Sequence, residues 1–508
     1  MRGIYTEEEE FKIYDWLGVH KNGNGYMFRA YAPNAEAAEV TGDFNSWGKT
    51  PMKRLENGVW EAVVESEISL DGTCYKYRFY NGDKCTLSPD PYARYAQSGK
   101  NDASIAYFGE YKWEDGKWLN LRKDFSVIKS PINIYEIDLG TWRTREGRSY
   151  TDVDVYLNYR DIAAELVGYA SDMGYTHVSI LSVSEKEQSF APSSKFGRPD
   201  DFKFFVDTLH KSGIGVILEL KEEAENGEFW LDEYHIDGLL TNDSHSIIKK
   251  DIDGVFFIGY GSRFSDKFDL FVNQEWCERV MDYAETEPQY KKYKYGGLNM
   301  SLTEGFDRNN LLSVSCACVS CGKGSLFEKM QGGYEEKFAR LKLFYSYMML
   351  HPGKKMTFMG CEIGERVAWN GKGSIEWFLL DCEANSELKK YVRAINKLYL
   401  KTQALWESDF SWRGFEWISP LDAENELMVF ARKSGDGDRI IAALNFSESA
   451  YKEIELDDFD IILSSKNDGV SLCNGILKVP PLSSVILGKS GKENKPFFEK
   501  TIDYSTDV

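Results

Sequence analysis

Residues 233–243 read EYHIDGLLTND, and inside this stretch a short apolar run, 236–240, is followed by polar residues. This run is one of eight of its kind, each separated from the next by a segment with helical character. The eight runs are 132–137, 177–181, 214–220, 236–240, 255–258, 298–301, 311–315 and 355–359. Short apolar strands that alternate with helices are typical of βα units, so the sequence predicts an α/β protein built around a (β/α)8 TIM barrel.

One of the intervening segments, 199–211, shows how clearly a helix is predicted. It begins at Pro199, and two acidic residues follow in the first turn. Proline is favoured at the first helical position, and acidic side chains interact well with the N-terminal end of the helix dipole. Its apolar residues recur at helical spacing and predict one face that packs against the barrel: Phe202, Phe205, Val206 and Leu209.

The two flanks of the barrel have β-sheet patterns. Between about residues 15 and 111, YMFRAYAP, AEVTGDF, VWEAVVE and YKYRFYNGDK alternate apolar and polar residues, and the last contains an Asn-Gly turn. After about residue 406, LMVFARK, RIIAALNFS and SSVILGKS predict further strands. We therefore expect a β-sandwich on each side of the barrel. The predicted domains are 1–112, a linker 113–130, the barrel 131–405, a C-terminal sandwich 406–490 and a charged tail 491–508.

Charge and composition exclude some classes of function. The formal net charge is -20, whereas a nucleic-acid partner needs clustered Lys and Arg to neutralise phosphates. The sequence has no run of about 18 or more apolar residues, and its start, MRGIYTEEEEF, lacks the basic and apolar regions of a signal peptide. Its nine cysteines are irregularly spaced and are not typical of a secreted disulfide framework. We expect a cytoplasmic protein that binds neither nucleic acid nor a membrane.

Several motifs resemble a known enzyme family. The stretch SCACVSCGKGS at 315–325, together with HPGKK at 351–355 and FMGCEIG at 358–364, resembles bacterial glycogen branching enzymes of the glycoside hydrolase 13 type. Their matching segment reads SHDEVVHGKGS, and EYHIDGLRVDA corresponds to residues 233–243. The N-terminal part resembles the family 48 carbohydrate-binding module through FRAYAPNA, VTGDFNSW, GVWE, YKYRF and DPYA. The resemblance extends from about residue 14 to residue 488.

The resemblance implies a catalytic site whose three carboxylates are missing here. Retaining enzymes of this type need a nucleophile after strand 4, an acid/base after strand 5 and a third carboxylate after strand 7. The matching positions, which we call the three carboxylate positions, are Asn242, Tyr260 and Ala317. An amide is a weak nucleophile, and a phenol with a pKa near 10 is a poor proton donor for this reaction. The sequence thus predicts a catalytically degenerate member of the family.

Relocated carboxylates are an alternative. Asp243 lies one position after the nucleophile position, but neighbouring strand residues point to opposite faces, so a solvated turn or helix cap is the competing interpretation. An acidic run after strand 3 is a second source of carboxylates, although such runs are usually solvated loops. Its members are Glu219, Glu222, Glu223 and Glu225.

Candidate sugar contacts lie in two places. Trp47 and Lys76 occupy positions that contact glucose rings in starch-binding family 48 modules, and aromatic faces stack well on sugars. The alternative for both is a structural role, because in branching enzymes this module often packs only against the barrel. Glu362 and Trp369 match the family's MGxEFG and WN motifs. For these two residues, structural contacts beneath the former site compete with a retained sugar contact.

Four cysteines raise the alternative of a metal site. Cys316, Cys318 and Cys321 form a C-x-C-x-x-C pattern, and Cys361 follows strand 8 on the same predicted face of the barrel. Four thiolates near one point are able to hold zinc or an iron–sulfur cluster. The competing interpretation, that small residues replaced catalytic ones, leads us to expect no cofactor.

The main functional hypothesis is a non-catalytic protein of α-glucan metabolism. It would bind α-glucan (glycogen or maltooligosaccharide) or a glycogen-metabolising enzyme. Two alternatives stay open. One is an interaction subunit of an active glycogen enzyme that does not touch sugar. The other is an active 1,4-alpha-glucan branching enzyme that uses relocated carboxylates.

Overall fold

The described residues form three layered parts along the chain. The computed structural model describes residues 12–99, 102–146, 155–184, 190–220, 227–242, 252–260, 267–306, 308–320, 322–456 and 459–489. Two antiparallel sheets come first, a closed parallel barrel follows, and two more antiparallel sheets complete the molecule. This architecture confirms the predicted fold class. The predicted domain boundaries remain predictions.

The N-terminal part is a β-sandwich. One sheet has the order β1-β2-β6-β5, and the other has the order β4-β3-β7-β8, with β9 paired to β7. Apolar side chains from both sheets, including Phe28, Val40, Tyr75 and Tyr77, are fully buried between them. The strands are β1 Gly18–Asn22, β2 Gly25–Tyr31, β3 Ala37–Gly42, β4 Thr50–Pro51, β5 Lys53–Arg54, β6 Val59–Glu65, β7 Cys74–Asn81, β8 Lys84–Ser88 and β9 Ser104–Ile105.

Eight parallel strands within the described residues close the barrel. Each pairs with the next in chain order, and β17 pairs with β10 to complete the ring. They are β10 Asn133–Ile137, β11 His177–Ile180, β12 Gly215–Leu220, β13 Gly238–Thr241, β14 Phe256–Tyr260, β15 Leu270–Val272, β16 Asn310–Val314 and β17 Lys354–Phe358. Apolar residues from these strands fill the interior, among them Ile134, Ile217, Leu240 and Phe256.

The helices cover the outside of the barrel. They are α1 Gly116–Arg122, α2 Leu139–Trp142, α3 Tyr159–Met173, α4 Pro199–Lys211, α5 Gly227–Glu233, α6 Gln274–Glu285, α7 Tyr295–Glu304, α8 Cys316–Val319, α9 Leu326–Lys329, α10 Tyr334–Leu350 and α11 Glu383–Lys401. The predicted helix at 199–211 is confirmed as α4, with proline at its start and its four predicted apolar residues buried. In the described part of the chain, no helix is both long and apolar enough to cross a membrane.

The sixth predicted strand, 298–301, is wrong. These residues belong to the helix α7, and the sixth barrel strand is the three-residue β15. Within α7 the buried residues Tyr295, Leu298 and Leu302 recur at helical spacing. A short apolar run does not distinguish a strand from a buried helix segment, and a three-residue strand gives almost no periodic signal.

The C-terminal part contains two sheets, with orders β18-β19-β20-β25-β22 and β21-β24-β23. The three strands predicted there are confirmed as β19, β20 and β25. The strands are β18 Phe415–Ser419, β19 Leu427–Lys433, β20 Arg439–Asn445, β21 Lys452–Glu455, β22 Asp460–Ser464, β23 Ser471–Cys473, β24 Ile476–Val479 and β25 Ser483–Gly488.

A buried group of charges joins the barrel to the C-terminal sheets. Asp409 accepts hydrogen bonds from Lys354 at the start of β17 (3.0 Å) and from Arg432 of β19 (2.8 Å). All three side chains are shielded from solvent. The Lys354 ammonium also donates to the carbonyl oxygens of Ile128 and Trp406, both at 3.0 Å. The N-terminal end of the barrel is therefore closed by ionic and hydrogen-bonded contacts.

A second buried polar network fixes α1 beneath the barrel. The Asp237 carboxylate, just before β13, accepts hydrogen bonds from Trp118 and Arg122 of α1 at 2.9 Å each. His210 of α4 lies between Asp237 and Asp115, at 2.9 Å from each carboxylate. The segment between the N-terminal sandwich and the barrel is thus bound firmly to the barrel's N-terminal end.

Candidate functional site at the barrel mouth

Three polar side chains converge at the carboxyl ends of the barrel strands. Along a strand, alternate residues point to the same face, so the residue two positions after an interior apolar residue also points inward. Glu136 follows Ile134 in this way, Glu219 follows Ile217, and Tyr260 follows Ile258. In a TIM barrel, catalytic groups are placed at this end of the strands. The mouth of the barrel is therefore the candidate site.

Glu136 is a fully buried carboxyl group at the centre of this site. Its Oε2 accepts a hydrogen bond from the backbone N–H of Cys316 at 2.8 Å, and its Oε1 has no hydrogen-bond partner among the described residues. Burial, followed by the negative charge of Glu219, raises the pKa of Glu136 well above that of a free glutamate. Both causes disfavour the ionised form, so this carboxyl keeps its proton to a higher pH than a free glutamate does.

Tyr260 ends β14 and lies at the same mouth. It is half-buried, and burial raises the pKa of its phenol far above the ordinary value of 10. The nearby carboxyl groups of Glu136 and Glu219 act in the same direction. The predicted acid/base position thus lies inside the site, but its phenol stays protonated at neutral pH.

The other two carboxylate positions lie on neighbouring strand ends. Asn242 follows β13 and is exposed, two positions after the interior residue Leu240. Ala317 is exposed in α8, the single helical turn after β16. Neither side chain can form a glycosyl ester or carry the negative charge that stabilises an oxocarbenium-like transition state.

The acidic run after strand 3 divides into two parts. Glu219 lies within β12 and is half-buried, so it is part of the strand and not of a solvated loop. The run's other members, Glu222, Glu223 and Glu225, and also Asp243, lie outside the described residues. Glu136 was not predicted from the sequence. The alternation of Ile132, Ile134 and Glu136 along one strand was the signal that could have identified it.

Four cysteines surround this mouth in the described part of the chain. Cys316 and Cys318 of α8 are half-buried, and Cys361 after β17 is buried. The fourth, Cys277 of α6, was not expected from the sequence, and the neighbouring Cys318, followed by burial, raises its pKa. No group of three or more His, Cys, Asp or Glu residues suited to a metal occurs where the structure is described. Cys321 lies outside that part, so the four-thiolate site remains a prediction.

Glu362 and Trp369 lie beside the mouth and already have partners in the fold. Glu362 is fully buried, and its carboxylate accepts hydrogen bonds from Tyr135 (2.7 Å) and Tyr169 (2.6 Å). The half-buried indole of Trp369 donates to the hydroxyl of Thr141 at 2.9 Å. A sugar contact for either residue remains a prediction.

The predicted sugar-contact residues of the N-terminal sandwich lie on its outer side. Trp47 is 38% exposed, and its indole nitrogen donates to Asp43 at 2.9 Å. On β7, Lys76 and Arg78 point away from the core that contains Tyr75 and Tyr77. Lys76 forms an ion pair with Asp102, and Arg78 donates to the backbone carbonyl of Trp47 at 3.1 Å. An exposed aromatic ring therefore lies next to a basic strand face.

Sequence comparison identifies the family. The chain is 32% identical to the 1,4-alpha-glucan branching enzyme GlgB of Halothermothrix orenii, over 88% of this chain and 87% of that protein. The corresponding enzyme of Aquifex aeolicus is 31% identical, over 87% of this chain and 87% of that protein. The chain belongs to the 1,4-alpha-glucan branching enzyme family. The family resemblance drawn from the sequence motifs is confirmed.

Further comparisons agree with this branching-enzyme architecture. The family model "Carbohydrate-binding module 48 (Isoamylase N-terminal domain)" matches residues 16–93. A Paenibacillus barengoltzii pullulanase, solved with maltohexaose and alpha-cyclodextrin, superposes with a TM-score of 0.74 at 15% identity over 93% of this chain and 95% of its own. The catalytic module of the glycogen-degrading pneumococcal virulence factor SpuA gives 0.73 at 12% identity over 97% and 98%. At these identities the two structures support the fold alone.

Proposed function

We propose that this branching-enzyme family member is a catalytically degenerate, cytoplasmic protein of α-glucan metabolism. In this proposal it binds α-glucan, either glycogen or maltooligosaccharide, and does not cleave or transfer it. The observation that carries the proposal is the chemistry of the three carboxylate positions. They hold an exposed amide, a phenol with a strongly raised pKa and a methyl group.

The chemistry of a retaining enzyme explains why these replacements matter. Such an enzyme needs two carboxyl groups about 5 Å apart, one to form the glycosyl ester and one to transfer the proton. Asn242 cannot serve as the nucleophile, and the Tyr260 phenol does not release its proton near neutral pH. Glu136 is a poor replacement for the nucleophile, because it is fully buried, its raised pKa disfavours the carboxylate, and it is hydrogen-bonded to the backbone of Cys316.

The N-terminal sandwich supports the binding part of the proposal. The exposed Trp47 ring offers a flat apolar surface, and Lys76 and Arg78 add hydrogen-bond donors on the same outer side. Sugar rings bind by stacking on aromatic faces and by hydrogen bonds to their hydroxyl groups. Both kinds of group are present at this face.

Affinity electrophoresis tests the proposal. Native gels with and without glycogen or amylopectin are run with the wild-type protein, with Trp47→Ala, and with Tyr293→Ala, which removes a 73% exposed ring from another domain. We expect the polysaccharide to retard the wild type and Tyr293→Ala, and Trp47→Ala to migrate faster. Unchanged mobility of the wild type in both polysaccharides would contradict glucan binding. Co-elution with an active branching enzyme would then favour an interaction subunit.

An active transferase with relocated carboxylates is the second candidate. It is favoured by the raised pKa of Glu136, which burial and the neighbouring Glu219 cause, since a carboxyl with a raised pKa is typical of the proton donor in acid/base catalysis. An iodine-stain branching assay distinguishes the candidates. We expect no activity at high protein concentration. Activity that disappears in Glu219→Gln would refute the degenerate assignment.

A further inference from the structure

A buried lysine lines a small cavity between the outer helices of the barrel and the C-terminal sheets. Lys291 belongs to the 3₁₀ segment Pro288–Lys294, and only 2% of the residue is exposed. The cavity has a volume of about 30 Å³. Apolar and aromatic side chains of α6, α7 and α10 line it, together with Phe446, which follows β20. The second charged residue of the lining is Arg340 of α10.

The amine of Lys291 has two backbone acceptors at the end of α6. Its Nζ donates to the carbonyl oxygens of Tyr283 at 2.7 Å and Ala284 at 3.3 Å. A neutral amine has two N–H groups and can make both bonds, whereas an ammonium group has a third donor. The Tyr283 ring lies 4.2 Å from Nζ, measured to the ring centroid. The competing interpretation is therefore a structural ammonium that caps α6 and contacts this ring.

The surroundings of Lys291 favour the neutral amine. Removal from water disfavours a charged group, and a second cation nearby acts in the same direction. Burial, followed by the positive charge of Arg340, lowers the pKa of Lys291 to about 7. Glu448 opposes this, but its carboxylate is the ion-pair partner of Arg340. A neutral amine is a nucleophile, so Lys291 is a reactive group that the candidate site at the barrel mouth does not use.

We propose that Lys291 reacts reversibly with carbon dioxide to form a carbamate, and that Arg340 pairs with the new carboxylate. The size of the cavity selects a small reactant, because about 30 Å³ holds a molecule of about two or three non-hydrogen atoms. Its lining favours an uncharged molecule, since charged groups lose their hydration there. The product is an anion, and guanidinium groups bind carboxylates well. This proposal does not depend on the proposed function, because it uses no sugar-binding residue.

The reaction needs no oxidant or reductant. The lone pair of Nζ attacks the carbon atom of carbon dioxide, an N–C bond forms, and one C=O double bond becomes a C–O⁻ single bond. The nitrogen then releases one proton to water. Overall, one amine and one carbon dioxide give one carbamate anion and one proton. The nitrogen keeps one N–H group, which can still donate to the carbonyl oxygen of Tyr283.

The carbamate would act on a contact between the barrel and the C-terminal sheets. Arg340 forms an ion pair with Glu448, which lies in the segment after β20, and its Nε donates to the carbonyl oxygen of Gln331 at 3.0 Å. A carboxylate on Lys291 gives the guanidinium group a second acidic partner. Binding of carbon dioxide is thereby coupled to the ion pair that joins α10 to the C-terminal part.

Chemical trapping in the full chain tests the proposal. The wild-type protein is equilibrated at neutral pH with ¹³C-labelled bicarbonate as the source of carbon dioxide. Triethyloxonium ion then converts carbamates into stable ethyl esters, and the peptides are mapped by mass spectrometry. We expect a ¹³C-labelled adduct on Lys291 that is absent from a degassed sample without bicarbonate. The exposed neighbour Lys292 should carry little or none. A map without the adduct on Lys291, or with as much on Lys292, would overturn the proposal.

Variants then test the roles of the two charged residues beside Lys291. Lys291→Met should lose the ¹³C NMR signal of the carbamate, and the matched control Lys292→Met should keep it. Arg340→Gln should lose most of the adduct on Lys291. Glu448→Gln, which changes a partly exposed side chain, should increase the adduct because it frees the guanidinium group. Adduct levels equal to wild type in both Arg340→Gln and Glu448→Gln would refute the pairing with Arg340. The wild-type map decides the reaction of Lys291 even if a variant does not fold.

Discussion

Replacing Glu136 with glutamine should change how the stability of the protein depends on pH. The pKa of Glu136 is raised in the folded state, so its stabilising contribution is complete below the pKa of the unfolded chain and is lost as pH rises towards the folded pKa. In that window the unfolded chain releases a proton that the folded protein keeps. The free energy of unfolding should fall by about 1.4 kcal/mol per pH unit from this one group.

Glutamine removes this dependence and keeps the shape of the side chain. Its carbonyl oxygen can accept the hydrogen bond that Cys316 donates to Glu136. The new amide N–H groups take the place of Oε1, which has no described hydrogen-bond partner. Leaving these donors unpaired lowers the free energy of unfolding by about 1–3 kcal/mol, and this loss does not change with pH. Between the unfolded pKa and the folded pKa, the Glu136→Gln variant should therefore gain about 1.4 kcal/mol per pH unit relative to wild type, whatever the constant offset.

Thermal unfolding measures this difference. For a large domain, about 1.4 kcal/mol corresponds to roughly 3 °C in melting temperature. The difference in melting temperature between variant and wild type should shift in favour of the variant by this amount per pH unit as pH rises above the unfolded pKa of Glu136. Glu335→Gln, which removes an exposed carboxylate from α10, controls for the loss of one acidic group. Parallel curves for Glu136→Gln and wild type would show that Glu136 is ionised in the folded protein and would refute the reasoning.

Three other predictions concern different parts of the molecule. Asp409→Asn leaves two buried cations without their counter-charge. Its free energy of unfolding, measured with denaturant, should therefore be about 3–5 kcal/mol below that of the wild type. A difference below about 1 kcal/mol would contradict this prediction. Alkylation of Cys318 by iodoacetamide should reach half its maximal rate near pH 6, whereas Cys277→Ala, which removes the neighbouring thiol that lowers the pKa of Cys318, should shift this midpoint upward; a wild-type midpoint near 8.5 is the contrary result. Asn242→Asp alone should give no branching activity in the iodine assay, because the other two carboxylate positions are unchanged, and measurable activity would count against this explanation.

The strands and the family motifs were predictable because they depend on local sequence. Apolar runs bounded by turns gave seven of the barrel strands, and Pro199 with its acidic neighbours gave the start of α4. The three-residue β15 was missed because so short a strand has no measurable alternation of apolar and polar residues. Residues 298–301 of α7 were taken for a strand because four residues are too few to show the helical spacing of its buried face.

The contents of the mouth were harder to predict because they depend on tertiary packing. Tyr260 was located from its position in a motif. Glu136 has no motif of its own that marks it as buried, and its raised pKa follows from that burial and from the carboxyl of another strand, Glu219. Cys277 lies on a helix with no sequence pattern that links it to Cys318. Only the packing of α6 against β16 places this helix beside the strand that leads into α8.

The buried charges around Asp409 show which contacts join the barrel to the segments before and after it. Lys354 contacts the segment before the barrel through Ile128, and the segment after it through Trp406 and Asp409. These contacts lie at the N-terminal end of the barrel, opposite the candidate site. The residues that join the barrel to the segments before and after it are thus separate from those at the candidate site. Under the proposed function, a chain built this way exchanges its catalytic side chains and remains folded, and its outer surfaces are free to acquire another role.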